Sequence, residues 1–282
     1  MRESFESYVD APGVNWTALK NMDVSPLAYR YFLDNDRPDT DALKAGRYVH
    51  AQVFEPDTVS AHYAVFPGEG TRATKEYKQF AAEHPGVCIF KRDEAEKLDA
   101  MVAAVRAHPL VRPYLAAPDG MFETSMRWTD AATELPCKGR ADWLIPSRRA
   151  LIDFKTAQSI DLRKFASAIG RYGYHSQLAH YKAGVTAALG WEPAEVTIIA
   201  VEKAAPYDIA VFKLRDDGID DELLRIGAEK VAELLAKVKT CTDRNEWPGR
   251  YPAPVPLVRE TDNMPSWLFG GDDDQIIYET EE

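Results

Sequence analysis

Alternating apolar and polar side chains mark two short runs, residues 139–145 and 150–156, as the clearest pattern in this chain. A period of two predicts β-strands, and the intervening run 146–149 predicts a turn. Successive strand side chains point to opposite faces, so Asp153 and Lys155 are expected to share one face. The other face then carries Ile152, Phe154 and Thr156. The two runs are therefore predicted to form a β-hairpin with separate apolar and charged faces.

The patterns outside this hairpin predict an α/β protein in which helices flank a core sheet. Helices are predicted at 16–33 (interrupted at Ser25-Pro26), 43–54, 92–108, from 162 to a break at Gly170–Gly173, from 174 to Gly190, and 217–239. Further strands are predicted at 121–128, 195–202 and 207–214. Residues 58–92 are expected to be irregular apart from a basic helix near 75–80.

Side-chain spacing predicts which residues share a face. In the strand at 121–128, Phe122, Met126 and Trp128 are expected on one face and Glu123 on the other. In the first helix after the hairpin, Asp161 is the predicted N-cap, and the spacing of Leu162, Phe165, Ala166 and Ile169 predicts an apolar face. In the next helix, Gln177 and Tyr181 are four residues apart and face the same way.

The predicted hairpin carries the residue types needed for metal-assisted phosphodiester hydrolysis. Asp142 and Asp153 can hold Mg²⁺, which prefers oxygen ligands, and the Lys155 ammonium can orient water or stabilise developing negative charge. Their spacing is that of PD-(D/E)XK nucleases, with Ala141 in place of the proline. Asp-x-Lys is a common sequence, so the spacing taken alone favours an exposed hairpin with a solvated charged face.

Six segments, two of them from the hairpin itself, resemble a known family in the same order. They are His50-Ala-Gln-Val-Phe-Glu-Pro-Asp57, Glu123-Thr-Ser-Met-Arg-Trp128, Cys137-Lys-Gly-Arg-Ala-Asp142, Ile152-Asp-Phe-Lys-Thr156, Tyr174-His-Ser-Gln-Leu-Ala-His-Tyr181 and Asn245-Glu-Trp-Pro248. The stretch containing them resembles the nuclease domain of the exonuclease VIII (RecE) family, a RecB-like branch of the PD-(D/E)XK nucleases. The resemblance implies a restriction-endonuclease-like fold at 46–248, preceded by a helical extension at 1–45. Residues 249–282 are predicted to be a proline-rich and then acidic tail.

The resemblance also implies roles for particular residues. Metal ligation is expected from His50, Asp142, Asp153 and the Phe154 carbonyl, with Mg²⁺ as the ion and Mn²⁺ as the alternative. Lys155 is expected to position or activate water. Glu123 either assists the metal site or is an exposed strand residue. Gln177 and Tyr181, with Tyr174, match the Gln-x-x-x-Tyr element that lies beside the active site and DNA in RecB-like nucleases.

The net charge of −11, taken alone, argues against a polyanionic partner. Eight of the acidic side chains lie in residues 260–282, which leaves 34 basic and 37 acidic side chains, a net charge of −3, in residues 1–259. Residues 137–172 carry eight basic and three acidic side chains. A local patch of this kind favours phosphate contact, although a solvated charge cluster also fits. The expected contacts are Arg140, Arg163, Lys164, Arg171 and Tyr174, assisted by Lys138, Arg148 and Arg149.

Cysteine usage and hydropathy limit the other cofactors and the compartment. Cys88, Cys137 and Cys241 are far apart and form no Cys-x-x-Cys pair, which argues against a zinc finger or disulfide framework. Three cysteines also fall short of the four that usually hold an iron–sulfur cluster, so none is expected. No apolar run approaches the length of a membrane span or resembles a signal peptide, and a cytoplasmic protein is expected.

Together the hairpin residues and the family resemblance imply a metal-dependent exodeoxyribonuclease acting on the ends of linear double-stranded DNA. The resemblance alone implies digestion of the 5′-terminated strand, a 3′ single-stranded overhang, a single-strand annealing protein as partner, and a homo-oligomer of phage or prophage recombination. One alternative is a catalytically silent DNA-binding or assembly protein on the same fold. A second is a structure-specific or CRISPR-associated RecB-like nuclease.

Overall fold

The computed structural model describes residue 3 and residues 5–35, 39–219, 221–251 and 253–255. Five strands form one mixed sheet in the order β3-β4-β5-β6-β7, in which β5 and β6 are parallel and the other neighbours are antiparallel. These strands are β3 (Met121–Thr129), β4 (Pro136–Ile145), β5 (Ala150–Ala157), β6 (Glu195–Glu202) and β7 (Ile209–Arg215). The predicted α/β class with a core sheet flanked by helices is confirmed.

Eleven α-helices are present in the described part of the chain. They are α1 (Phe5–Asp10), α2 (Trp16–Leu19), α3 (Pro26–Asp34), α4 (Asp41–Phe54), α5 (Val59–His62), α6 (Lys75–Glu83), α7 (Arg92–Ala107), α8 (Arg112–Leu115), α9 (Leu162–Tyr172), α10 (Tyr174–Leu189) and α11 (Glu222–Arg244). Three helix boundaries lie where the sequence predicts them. The Ser25 and Asp161 side chains cap α3 and α9, and Gly173 separates α9 from α10. No helix within the described ranges has both the length and the apolar composition needed to cross a bilayer.

Strand β5 lies at the centre of the sheet and is buried on both faces. Ile152 and Phe154 pack into a cluster with residues of α4 and α7, while Leu151 packs on the opposite face with residues of α10. The prediction that Asp153 and Lys155 share a face separate from Phe154 is confirmed by their direct contact. The alternative of an exposed hairpin with a solvated charged face is wrong, because Asp153 is only 1% exposed.

Strand β3 departs from simple alternation at Glu123. Phe122 packs with the cluster on one face of the sheet and Met126 with the cluster on the other, although the sequence places them on the same face. Glu123 has a φ of 48°, in the left-handed region, so the strand turns over at this residue. Ala141 and Trp143 of the neighbouring strand β4 lie on opposite faces in the same way.

Three other expectations needed correction. Residues 58–92 are not irregular, because they contain α5 and a parallel pair of four-residue strands, β1 (Tyr63–Phe66) and β2 (Cys88–Lys91), which are too short to show periodicity. Helix α11 begins five residues later than predicted and runs five residues further. Leu162 is 70% exposed, because it is the first residue of α9 and only Phe165 of that helix is fully buried. The predicted acidic tail lies largely outside the described residues.

The N-terminal segment packs directly against the sheet and α11. Val14 forms a parallel bridge with Cys137 of β4, and Trp16 and Met22 pack in one cluster with Leu234 and Leu235 of α11. The proposed boundaries at 45/46 and 248/249 remain predictions. The contacts place the N-terminal helices against the sheet that carries the hairpin.

One buried histidine makes the stability of this fold depend on pH. His180 of α10 is 1% exposed, lies 4.7 Å from the Trp128 ring, and its Nε2 is 3.2 Å from the Lys138 carbonyl oxygen. Burial lowers the pKa of His180 to about 4. The folded protein therefore holds it neutral, whereas in the unfolded chain an ordinary histidine takes up a proton near pH 6.5.

The free energy of unfolding is predicted to fall between pH 7.5 and pH 5.0 by about 2 kcal/mol through His180 alone, since the unfolded state gains a proton that the folded state does not. Urea unfolding at both pH values tests this. His180→Gln keeps an N–H donor for the Lys138 carbonyl and should lose about 2 kcal/mol less than wild type over the same interval. Equal losses in the two proteins would show that another group controls this pH dependence.

Candidate active site

Both hairpin aspartates lie where two strands separate. The β4–β5 ladder runs from the pair Ile145–Ala150 to the pair Trp143–Ile152 and then stops. The next residues are Asp142 and Asp153. Beyond them β4 continues beside β3, and β5 continues beside β6. We call this point the fork. Because β4 and β5 are no longer paired here, a cleft lined by carboxylates opens between them.

Helix α4 brings His50 to the fork. The ring of His50 lies 4.9 Å from Phe54, one turn further along the helix, and 5.6 Å from Phe154 of β5. Its Nδ1 is 2.8 Å from Glu123 Oε1 and its Nε2 is 3.1 Å from Asp142 Oδ2. The imidazole therefore bridges two carboxylates from neighbouring strands.

The left-handed conformation of Glu123 places its carboxylate beside Asp142. Glu123 lies in the gap between the ladder pairs Phe122–Trp143 and Thr124–Ala141. Its Oε2 accepts a hydrogen bond from Arg140 Nε at 2.8 Å, while Oε1 faces His50. Of the two roles considered for Glu123, this geometry favours the one at the metal site.

Asp142 and Asp153 are held by different partners. Asp142 Oδ2 accepts a hydrogen bond of 2.8 Å from the Phe154 backbone N–H. Asp153 Oδ1 lies 2.7 Å from Lys155 Nζ, but Asp153 Oδ2 is buried and no described donor lies within hydrogen-bond distance of it. A buried carboxylate oxygen without a partner is costly, and a cation would satisfy it.

The electrostatics follow from burial and from these contacts. Burial opposes the charge on His50, yet Asp142 and Glu123 outweigh it and raise the pKa of His50 to about 10. Burial likewise opposes the charge on Asp142, but His50 and Lys155 lower the pKa of that carboxyl to about 2. Burial raises the pKa of Asp153 to about 6 against the effect of Lys155. The pKa of Lys155 is raised because Asp153 and Asp142 outweigh its burial.

The donor set fits a divalent cation. Ligand atoms of His50, Glu123 and Asp142 all lie within 4.8 Å of one another, and Asp153 with its unpartnered oxygen is the next residue at the fork. Carboxylate oxygens suit Mg²⁺ and Mn²⁺, and imidazole nitrogen suits transition metals. The backbone N–H of Phe154 points to Asp142. In any β-strand, the N–H and C=O of the same residue point to the same side of the strand. The Phe154 carbonyl is therefore directed to the fork as well.

Gln177 and Tyr181 of α10 lie on the same side of the helix, as the spacing predicts. Gln177 Nε2 donates a hydrogen bond of 3.1 Å to the Tyr181 hydroxyl. Tyr181 packs against Gly139 of β4 so closely that a Cβ there would lie 3.0 Å from its ring. At the start of the same helix, the Tyr174 ring lies 5.1 Å from Lys155 Nζ. Helix α10 thus covers the side of the fork that carries Lys155.

The basic residues expected to contact DNA divide into two groups. Arg163, Lys164 and Arg171 are all exposed on α9, and phosphate contact remains the prediction for them. The side chain of Arg140 is only 11% exposed and is paired with Glu123, so we assign it to positioning Glu123. Lys138 is buried, and its Nζ donates to the backbone carbonyls of the N-terminal segment, which excludes it from a surface patch.

The two arginines of the hairpin turn are also engaged within the protein. Arg148 pairs with Glu195 at 3.4 Å and lies over the Tyr114 ring, and Arg149 Nε donates to the Glu192 carbonyl at 2.8 Å. The predicted patch over 137–172 therefore reduces to α9 as a free basic surface. Sequence spacing could not reveal these pairings, because each partner is distant along the chain.

A family model described as a PDDEXK-like domain of unknown function (DUF3799) matches residues 16–253. A solved structure from Eubacterium rectale, provisionally named an exonuclease, shares 15% identity at a TM-score of 0.58 and covers 94% of this chain and 100% of its own. A phage-related exonuclease from Haemophilus somnus 129PT shares 14% identity at a TM-score of 0.37, covering 86% of this chain and 100% of its own. The first likeness shows a common fold, and the second carries no argument. No curated protein matches the chain.

Replacing Asp153 by asparagine is predicted to abolish metal binding without lowering the stability of the metal-free protein. The ionised carboxylate is disfavoured by burial, so the metal-free unfolding free energy of Asp153→Asn at pH 7.5 should be no lower than that of wild type, and higher by up to about 3 kcal/mol. The rise in melting temperature on adding Mn²⁺ or Mg²⁺ should be lost.

Asp119→Asn is the matched control, because Asp119 is a partly exposed carboxylate that accepts hydrogen bonds from Ser147 at the other end of the hairpin. Thermal melts with EDTA and with each metal should show an unchanged metal response for this control. A full metal-induced shift in Asp153→Asn would remove Asp153 from the ligand set.

Proposed function

The chain belongs to the PDDEXK-like domain family, whose model matches residues 16–253, and on this premise we propose a divalent-metal-dependent exodeoxyribonuclease that degrades linear double-stranded DNA from its ends. PD-(D/E)XK domains are nuclease domains, so a DNA substrate and a divalent metal accompany the family. The observation that carries the proposal is the constellation at the fork: Asp142, Asp153 and Lys155 meet His50 and Glu123 in one place.

We assign the metal to His50, Glu123, Asp142, Asp153 and the Phe154 carbonyl, with His50 giving up its proton when the ion binds. Such an ion, Mg²⁺ or alternatively Mn²⁺, supplies Lewis-acid polarisation of a phosphate oxygen and lowers the pKa of water. The protein's own part is to keep ligand oxygens charged and oriented. The Phe154 N–H fixes Asp142, and Arg140 fixes Glu123.

Lys155 acts in this proposal as an ammonium. Its pKa is raised by Asp153 and Asp142, so it carries a proton at neutral pH and donates hydrogen bonds. A fixed ammonium beside the scissile phosphate orients the attacking water and offsets charge that develops in the transition state. Its contacts with Asp153 on one side and the Tyr174 ring on the other limit its rotamers. Gln177 and Tyr181 support the same wall of the fork.

Exonuclease action and its polarity come from the resemblance to the exonuclease VIII family. The proposal includes attack on the 5′-terminated strand, a 3′ overhang passed to a single-strand annealing protein, and a homo-oligomer. The exonuclease name of the Eubacterium rectale protein, which shares the fold, agrees with the choice of reaction. The exposed cations of α9 would hold the DNA backbone without reading sequence.

A catalytically silent DNA-binding protein on this fold is the alternative from another class. Binding alone has no need of a buried aspartate with an unpartnered oxygen beside a lysine, and such a group would lower stability without return. A structure-specific or CRISPR-associated nuclease would keep the same chemistry on a different substrate. The first experiment below distinguishes these cases.

Linear duplex DNA is predicted to be digested completely in Mg²⁺, while covalently closed circular duplex remains intact, because one strand must enter the fork from a free end. Asp153→Asn is the inactive control and should lose at least about 10²–10³ in rate. Gel analysis of both substrates in one tube makes the comparison internal. Incision of the closed circle at a similar rate would favour a structure-specific endonuclease, and no cleavage of either would favour the silent protein.

Digestion is predicted to begin at the 5′ end of a strand, and duplexes labelled separately at each end test this polarity. A duplex with a 5′ label should release labelled product at the earliest times, whereas a 3′ label should remain in long fragments until late in the reaction. Single-turnover time courses with the two labels give the order directly. Early release from the 3′ label would reverse the proposed polarity and leave the fork chemistry unaffected.

A further inference from the structure

Two tyrosines stack at the junction of α9 and α10. The ring centroids of Tyr172 and Tyr174 are 5.6 Å apart, with an interplanar angle of 28°. Residues two apart in a continuous helix do not face each other. The pair can stack because Gly173 between them has a φ of 69°, which ends one helix and starts the next.

This junction is fixed by a core contact. A Cβ on Gly173 would lie 2.6 Å from Cζ2 of Trp16, and Trp16 is buried. Both the left-handed backbone and the close approach of Trp16 therefore require glycine. The tyrosine pair stands on a rigid turn rather than on a free loop.

The inner tyrosine is anchored and borders the active site. Tyr174 lies 6.3 Å from Phe165, which in turn stacks on Phe212 at 4.3 Å in the core. Its ring is also 5.1 Å from Lys155 Nζ. An aromatic row thus runs from the core past the proposed catalytic lysine to the surface.

The outer tyrosine is exposed to solvent beside one cation, on a helix that carries two more. Tyr172 is 50% exposed, and the Arg171 guanidinium carbon lies 5.8 Å from its ring centroid. Residues 162–172 of α9 carry Arg163, Lys164 and Arg171 and no acidic side chain, and all three cations are exposed. An exposed ring beside such cations matches the chemistry that binds single-stranded nucleic acid, in which bases stack on aromatic faces and phosphates meet basic residues.

We propose that Tyr172 and Tyr174 form a stacking platform for the unpaired bases of a DNA end, with Tyr172 as the outer ring that a base covers. This inference rests on the proposed function. Because Tyr174 lies beside Lys155, the platform would meet the DNA strand that enters the fork. Stacking is indifferent to sequence, since every base has a π-face. The platform would hold a frayed end near the active site.

The test measures binding in EDTA, where metal-dependent cleavage is blocked, to duplexes with a four-nucleotide single-stranded overhang. One duplex has normal bases in the overhang, a second has abasic sugars, and a third carries 2-aminopurine as the first unpaired base. Wild type should prefer normal over abasic overhangs by about 5- to 140-fold and should quench 2-aminopurine fluorescence. Tyr172→Ala should bring the preference close to one and remove the quenching, while Tyr172→Phe should keep both.

Tyr31→Ala is the matched control, because Tyr31 is 67% exposed on a different helix, α3. Its preference and quenching should equal those of wild type. The platform is rejected if wild type shows no preference for bases, or if Tyr172→Ala retains the preference and the quenching. Parallel digestion of linear duplex in Mg²⁺ separates the two proposals. If Tyr172→Ala loses the preference for bases and wild type digests no DNA, the platform is supported and the nuclease is rejected. If wild type digests DNA but shows no preference for bases, the nuclease is supported and the platform is rejected.

Discussion

Four ionisable side chains, His50, Asp142, Asp153 and Lys155, meet in a part of the protein where an isolated charge is costly to bury. Each cation lies within 3.1 Å of one of the aspartates, so positive and negative charges are balanced in pairs. Removing either cation leaves a buried aspartate without compensation, and breaking such a pair typically costs about 3–5 kcal/mol. The two aspartates therefore depend on both cations, and this balance constrains the strands and helix that carry them.

The backbone places these charges by breaking a regular pattern. If β4 and β5 remained paired beyond Trp143 and Ile152, the aspartates would lie within a closed ladder with no room for a substrate. The left-handed Glu123 then turns β3 over beside the fork, and its carboxylate joins the cluster. Backbone of this kind concentrates at functional sites, and its strain is borne by the surrounding packing. Here the buried strands on both sides of the fork provide that packing.

The sequence allowed the fold and the centre of the site to be predicted, and it failed where distant residues interact. Period-two spacing was enough to place Asp153 beside Lys155, because that relation is local. His50 came from the resemblance, since nothing local distinguishes it from a structural histidine. Lys138 and Arg140 were expected at the DNA surface, yet one is buried under backbone carbonyls and the other holds Glu123. Tyr172 was not singled out, because two residues across a helix break do not show periodicity.

The fork also explains why the N-terminal segment belongs to the site. Where β5 leaves β4, the edge of β4 loses its partner, and unpaired strand edges are normally covered. The Val14 N–H donates to the Pro136 carbonyl at 2.8 Å and the Lys138 N–H donates to the Val14 carbonyl at 2.9 Å, which covers that edge. Further along β4, Arg140 donates to the Glu3 carbonyl and to Glu123, which contacts His50. The fork is thus open on one side, where the proposed substrate would enter, and closed on the other by the N-terminal segment. A displacement of that segment would reach the proposed metal ligands through Arg140.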